Sequence, residues 1–362
     1  MSEAITPNNE PSTAGWDAIT AALKSHYPSQ QPRHWGTLLH ARIGGSSFLD
    51  GISAYLHEGG DQPRHWHYIS FGMSELYDKE TKFPEESGWG FEFTFRLAAP
   101  AGETEPPQWP LSLLENLARY VNTSGNAFAP GHYVPLNGPI SLEAQTKIHA
   151  ALFTLDPVLE TIQTPNGSLG FLQIVGATMD ELAAARAWKT ESFLGVMKST
   201  NPLLITDLAR DSILTDPRTA AAVAEGTARD GSSSGSSYTD TFSFSVRKRF
   251  LRSPQTVITV GANSIEDLRA QLVGRIPFQR PFSVIGPEYG MNVSPGDRVN
   301  ATVAEEKRLE LVLSPKAAAD IAAALKPIRG EYTVAAAPEL VIQVVPTEIR
   351  DAKGEQVTQV IG

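Results

Sequence analysis

From Arg64 to Leu97 the chain reads RHWHYISFGMSELYDKETKFPEESGWGFEFTFRL, and side chains that suit a sheet recur at every second residue at both ends of the run. His67, Ile69 and Phe71 alternate first, then Phe91, Phe93, Phe95 and Leu97. This period predicts two half-buried strands of one sheet. Between them, residues 72–88 form a turn-rich excursion carrying Glu75, Tyr77, Asp78, Glu80, Glu85 and Glu86. A period of three to four takes over elsewhere. Trp16, Ile19 and Leu23 predict a short helix that ends before Pro28, and Leu111, Leu114, Leu117 and Val121 a second one with Pro110 in its first turn. Tyr120 falls near the end of that second helix. Residues 124–140 then hold so many Gly and Pro that the pattern predicts a loop.

Further along, Phe171–Val175 is a compact apolar strand, and Thr178 with Glu181 forms a capping-box pattern that opens a helix through Trp188. Phe193, Val196 and Met197 predict another helix, and Leu203–Leu208 a strand. At EGTARDGSSSGSS the pattern lapses into Gly and Ser, which reads as a flexible linker or long loop. Beyond it, Phe242, Phe244 and Val246 alternate, Thr256–Val260 is β-rich, and Ser264 precedes a helix bearing Ile265, Leu268 and Leu272. Leu309, Leu311 and Leu313 alternate, Ser314-Pro315 opens a helix with Ile321 and Leu325, and Leu340–Val345 is read as the final strand. Strands and helices intermix throughout, so the fold class is α+β or mixed α/β in two domains. The boundaries are a disordered lead at 1–12, a first domain at 13–224, the linker at 225–237 and a second domain at 238–362.

Composition narrows the chemistry. With 362 residues, 41% of them hydrophobic, the chain can fill two cores. Its net charge of −10, from 40 acidic and 30 basic residues, disfavours nucleic acid and anionic membranes as partners. The basic cluster at Arg247, Lys248, Arg249 and Arg252 reads as a solvated strand end. No cysteine is present, which removes disulfides and thiolate chemistry and fits a cytoplasmic setting. The first residues show no signal-peptide pattern.

Candidate catalytic groups are few. His65 and His67, two apart on a strand, share a face and could converge on a metal, with Glu58, Asp61 or His57 as a generic third ligand. A metal-dependent hydrolase built on that pair is one alternative reading. No GxSxG elbow and no phosphate-binding glycine motif occurs. The expectation is therefore no enzyme and no cofactor. Tyr77, Trp89, Trp109, Tyr120, Phe128 and Tyr133 form a reserve of aromatics suited to an interface, and a structural scaffold is the other alternative.

HWHYISFGMSELY followed by GWGFEFTFRL closely resembles the signature of the Suppressor of fused family, and four later blocks follow in the family's order: ENLARYV, TPNGSLGFLQIVGATMDEL, LLITDLAR and DPRTAAAVAEGTARDGSS. The resemblance is weaker toward the C-terminus. It implies two α/β domains joined by a hinge, and a non-enzymatic negative regulator that clamps an extended peptide as an added strand in an interdomain cleft. For bacterial relatives it implies immunity proteins that neutralise toxins, and the absence of a long low-complexity insertion in the second domain points to such a relative. Tyr120 matches a family tyrosine that lines the cleft. Twelve residues on, His132 stands where animal members carry an aspartate that pairs with a partner histidine, and Asn137 replaces a further cleft histidine. Partner-binding residues are thus Tyr120, His132 and Asn137, for a protein partner bound through an extended segment.

Overall fold

The computed structural model describes residues 12–250, 252–350 and 357–362. Most of the expected lead at 1–12 lies outside them. The chain divides into two compact units, one made of Met1–Ala183 and Phe193–Ala220, the other of Ala184–Ser192 and Ala221–Gly362.

The first unit is one eight-stranded sheet with helices. Its elements in order are α1 (Ala14–His26), β1 (Arg33–Gly36), β2 (Gly51–His57), β3 (His65–Phe71), β4 (Glu86–Ala98), α2 (Trp109–Ser124), β5 (Tyr133–Pro135), β6 (Ile148–Leu155), β7 (Ile162–Thr164) and β8 (Gly167–Thr178). Strand order is β1-β2-β3-β4-β8-β6-β5, with β7 beside β8, and only β4 and β8 run parallel among these pairs. The helices α3 (Met179–Ala187), α4 (Thr190–Lys198) and α5 (Pro217–Asp230) each run across a boundary between the units.

β3 and residues 91–97 of β4 are buried throughout rather than half-buried. On one face α2 packs Leu114, Leu117, Ala118 and Val121 against Trp66, Tyr68, Phe93 and Phe95. On the other, α1 packs Ile19 and Leu23 against Tyr55, Ile69 and Phe71. With both faces covered, the polar positions between the phenylalanines must find partners inside the protein.

The second unit contains β9 (Ser236–Tyr238), β10 (Phe242–Arg249), β11 (Arg252–Gly261), α6 (Ile265–Arg275), β12 (Phe282–Ile285), β13 (Gly290–Pro295), β14 (Asn300–Glu305), β15 (Arg308–Leu313), α7 (Pro315–Ala324), β16 (Gly330–Tyr332), β17 (Leu340–Val345), β18 (Thr347–Arg350) and β19 (Val357–Ile361). Two sheets, β10-β11-β17-β16 and β14-β15-β13-β12-β9, share one apolar core with α6 and α7. The Ser314 hydroxyl caps α7 by accepting from the Ala317 N–H at 3.2 Å.

Three local expectations change. Leu203–Leu208 is not a strand, because Asn201 bonds both backbone groups of Ile205 and Leu204 turns left-handed at φ 51°, leaving only a bridge between Thr206 and Leu97. The Gly/Ser stretch at 225–237 is ordered. Helix α5 runs through Asp230, Gly226 gives room to the Trp188 ring, and the buried Ser232 donates to the Arg186 carbonyl at 2.7 Å. The chain also continues past Val345 into the β18–β19 hairpin.

Candidate partner-binding surface

Tyr120 lies in the last turns of α2, which closes on Gly125 at φ 74°. Its ring is 47% exposed, yet it is not loose. It leans on Phe128 at 5.3 Å between centroids, Phe128 stacks on Phe153 at 4.2 Å, and Phe153 meets the buried Phe93 at 6.4 Å. An aromatic series thus runs from the core to the surface and holds Tyr120 in place.

The same series reaches His132. Its Nδ1 accepts from the N–H of Ala129, the neighbour of Phe128, at 3.3 Å, and its carbonyl accepts from the Phe153 N–H at 3.0 Å. His132 is exposed and leads directly into β5, the terminal strand of the sheet. The strand is hidden in the sequence because Gly and Pro surround three residues. Pro135 has no N–H to donate and suits such an edge. Asn137 follows β5 with φ 54°, exposed, and lies up to about 16 Å along the strand from His132 at about 3.3 Å per residue. Tyr120 and His132 therefore share one patch, and Asn137 marks the other end of the edge.

His65 and His67 do share a face, but they are committed to other groups. Asp156 is buried at the centre: its Oδ1 accepts from Arg96 at 2.9 Å and from the N–H groups of Val158 and Leu159, and its Oδ2 accepts from the Thr94 hydroxyl at 3.0 Å. His67 Nε2 sits 3.1 Å from Asp156 Oδ2, misaligned for a straight hydrogen bond, while its Nδ1 faces the Tyr27 hydroxyl at 2.9 Å. His65 Nδ1 faces the Pro63 carbonyl at 2.7 Å, and its Nε2 meets Arg96 at 3.0 Å. These partners assign a proton to Nε2 of His67 and to Nδ1 of His65.

Burial lowers both imidazoles, with Arg96 adding to it, to about 3 for His65 and about 4 for His67. Burial would raise Asp156, but His67 and Arg96 outweigh it and hold the carboxyl well below its usual range. Among the described residues no group of three His, Cys, Asp or Glu side chains is placed to hold a metal.

Residues 72–88 are organised by two buried carboxylates, Glu75, which the sequence offers only as part of an acidic mixture, and Glu92 on β4. Glu92 accepts from the hydroxyls of Ser70 and Ser74 and from the N–H groups of Gly72 and Ser74. Glu75 accepts from Lys79 and from the N–H groups of Glu80, Thr81 and Gly88. Burial would raise Glu75, but these donors win and hold it at about 2. The alternation of Glu92, Thr94 and Arg96 with the phenylalanines was the available signal, and it reads as a wet face unless both faces are known to be covered.

The first unit thus sets a short terminal strand near a fixed, half-exposed aromatic, an arrangement of the kind that strand-adding recognition uses. The family model described as Suppressor of fused protein matches residues 45–211. The human Suppressor of fused homolog is 37% identical over 233 residues, which is 60% of this chain and 48% of that protein, and the mouse homolog matches equally. The chain thus spans about half the length of these relatives. A chain of the Sufu-Fu complex crystal structure is 34% identical with a TM-score of 0.55, covering 59% of this chain and 98% of that one. The crystal structure of Drosophila Suppressor of Fused shares the fold, with a TM-score of 0.77 at 24% identity over 94% of this chain and 99% of that one. The chain belongs to the Suppressor of fused family.

Proposed function

We propose that this protein is a non-enzymatic binding module that sequesters a protein partner by taking an extended segment of it beside β5. The observation that carries the reading is the terminal position of β5 next to Tyr120, a half-exposed ring backed by Phe128 and Phe153. Backbone pairing supplies affinity in this mode, and side chains flanking the edge supply specificity. The relative crystallised in the Sufu-Fu complex is bound to a protein, which supports the class of partner. His132 in place of the family's aspartate removes a carboxylate, so the segment preferred here is not one whose cationic group pairs with an acid at that position. Toxin neutralisation is the specific form of sequestration that the resemblance to bacterial relatives favours.

Affinity capture from the native host, with mass spectrometry, tests the proposal beside a Tyr120→Ala variant. One near-stoichiometric protein that the variant loses is expected, and its identity separates toxin from regulator. The same protein retained by the variant, or no partner for either chain, overturns the reading. The hydrolase alternative needs free imidazoles, and His65 and His67 are held by Arg96, Pro63, Tyr27 and Asp156.

A further inference from the structure

The sheet of the first unit has a second edge, β1, and its surroundings match an added strand more closely than a solvent-facing edge requires. The Thr37 N–H donates to the Asp50 carbonyl at 2.8 Å, which fixes the phase of pairing with β2. Arg33, Trp35 and Thr37 turn their backbone groups toward β2, so His34 and Gly36 turn theirs outward. Among the described residues those outward groups have no hydrogen-bond partner. Just before the strand, the Gln30 amide bonds both backbone groups of Leu56, at 2.8 and 2.9 Å, and so closes the ladder where β1 begins. The open length is therefore defined at one end.

A cavity lies on each side of the sheet along this edge. On the α1 side, a space of about 200 Å³ is walled by Trp16, Tyr27, Tyr55 and Phe71, with His34 and Lys24 also lining it. The walls are fixed: Trp16 stacks on Phe71 at 4.5 Å and Tyr27 on Tyr55 at 4.4 Å. Among the described residues Lys24 has no ion-pair partner. On the α2 side, a space of about 260 Å³ is lined by Trp35, Leu49, Ile52, Leu111 and Ser112. Glu115 also borders it, but its carboxylate already accepts from Ser47 and from the Phe48 N–H. Each space is smaller than a drug-sized pocket and suits a single side chain.

Neighbouring side chains of an extended strand point to opposite faces. The α1-side cavity flanks residues 30–34 and the α2-side cavity residues 35–37, so a strand laid on β1 would fill both with residues three apart. We propose that β1 is a second docking edge, separate from β5, for an extended segment of a partner protein with two bulky apolar residues at i and i+3 and an acidic residue two positions from the one that enters next to Lys24, on the same face of the segment. The backbone of the segment pairs with His34 and Gly36, and the lysine sets which end of it faces α1.

Fluorescence anisotropy with two synthetic peptides tests this. The first is fluorescein-Asp-Thr-Phe-Thr-Thr-Phe-Thr-amide, with Asp and the first Phe on one face; the second, Asp-Thr-Phe-Thr-Phe-Thr-Thr with the same ends, places both rings on one face. The full chain is expected to bind the first at least tenfold more tightly. Gly36→Pro removes an outward N–H, costs no bond to β2, and is expected to weaken binding at least tenfold. Ser112→Trp, on an exposed turn of α2, fills the second cavity, leaves β1 untouched and is expected to do the same. Equal affinity for the two peptides, no binding of either, or full binding by both variants would overturn the proposal. So would loss of binding on Tyr120→Ala, which would place the peptide at β5, or a dimer that Gly36→Pro dissociates, which would place a second copy on β1.

Discussion

At the scale of single residues the first unit is governed by charges that it buries. Arg96 and Asp156 are both almost wholly inaccessible, and Arg96 Nη2 donates to both carboxylate oxygens of Asp156, at 2.9 and 3.2 Å. Replacing Arg96 by Leu leaves Asp156 without its cation, a loss that typically costs about 3–5 kcal/mol. The expected outcome is a large drop in the unfolding midpoint of the first unit, followed by tryptophan fluorescence in urea. His65 and His67 add a pH dependence. Both are neutral when folded at pH 7, with values lowered from 6.5 to about 3 and about 4 by burial beside Arg96. Below about 6.5 the unfolded chain takes up protons that the folded chain refuses, so stability falls with falling pH. Burial sets this sign; Arg96 and, for His65, the stacked His57 add to it, while the Pro63 carbonyl beside His65 and Asp156 beside His67 oppose it. Thermal unfolding is expected to be flat above pH 6.5 and to drop between there and pH 4, and His67→Gln is expected to flatten part of that slope. A slope unchanged in the variant would remove His67 from the explanation.

At the scale of elements, residues 72–88 behave as a folded loop because Glu75 gathers Lys79 and three N–H groups. Glu75→Ala leaves those N–H groups without an acceptor, and hydrogen bonds to charged groups are each worth about 1.5–3 kcal/mol. Amide exchange at Glu80, Thr81 and Gly88 is expected to accelerate, while exchange in β8 is unchanged. This element also shows what sequence could convey. The alternation of Phe91, Phe93 and Phe95 located β4, and Trp16, Ile19 and Leu23 located α1 to within a few residues. The same alternation misled on burial, since period two looks identical whether the second face is wet or covered by a helix. Short elements were lost for a different reason. β5 has three residues between prolines and glycines, and its existence is decided by pairing with β6 rather than by its own composition. Conversely, Leu203–Leu208 has strand composition but lacks a ladder, because Asn201 claims its backbone first.

At the scale of the molecule, the chain crosses between its units at α3, α4 and α5, so neither is a simple half of the sequence. The segment at Ala184–Ser192 belongs with the second unit: Arg186 pairs with Asp267, and Trp188 bonds Asp230 at 2.9 Å and packs on Gly226. A fragment starting at residue 238 is expected to unfold at a lower temperature than one starting at residue 184, because it lacks those anchors; equal melting points by calorimetry would contradict this. Family membership was legible in long ordered blocks of the first unit, where sequence is tied to a buried polar network. The partner was not, since the proposed patch around Tyr120 and His132 is exposed and packing does not dictate its residue types as it does in the core.

The measurement that bears most directly on this protein's role is photocrosslinking in its native host with benzoylphenylalanine placed at position 120, beside a control at Met179, which is also about half exposed. Binding at the β5 edge predicts one crosslinked protein of defined mass at position 120, absent at 179, with the crosslink falling in an extended segment of the partner. No adduct at position 120, or the same set of adducts at both positions, would contradict it.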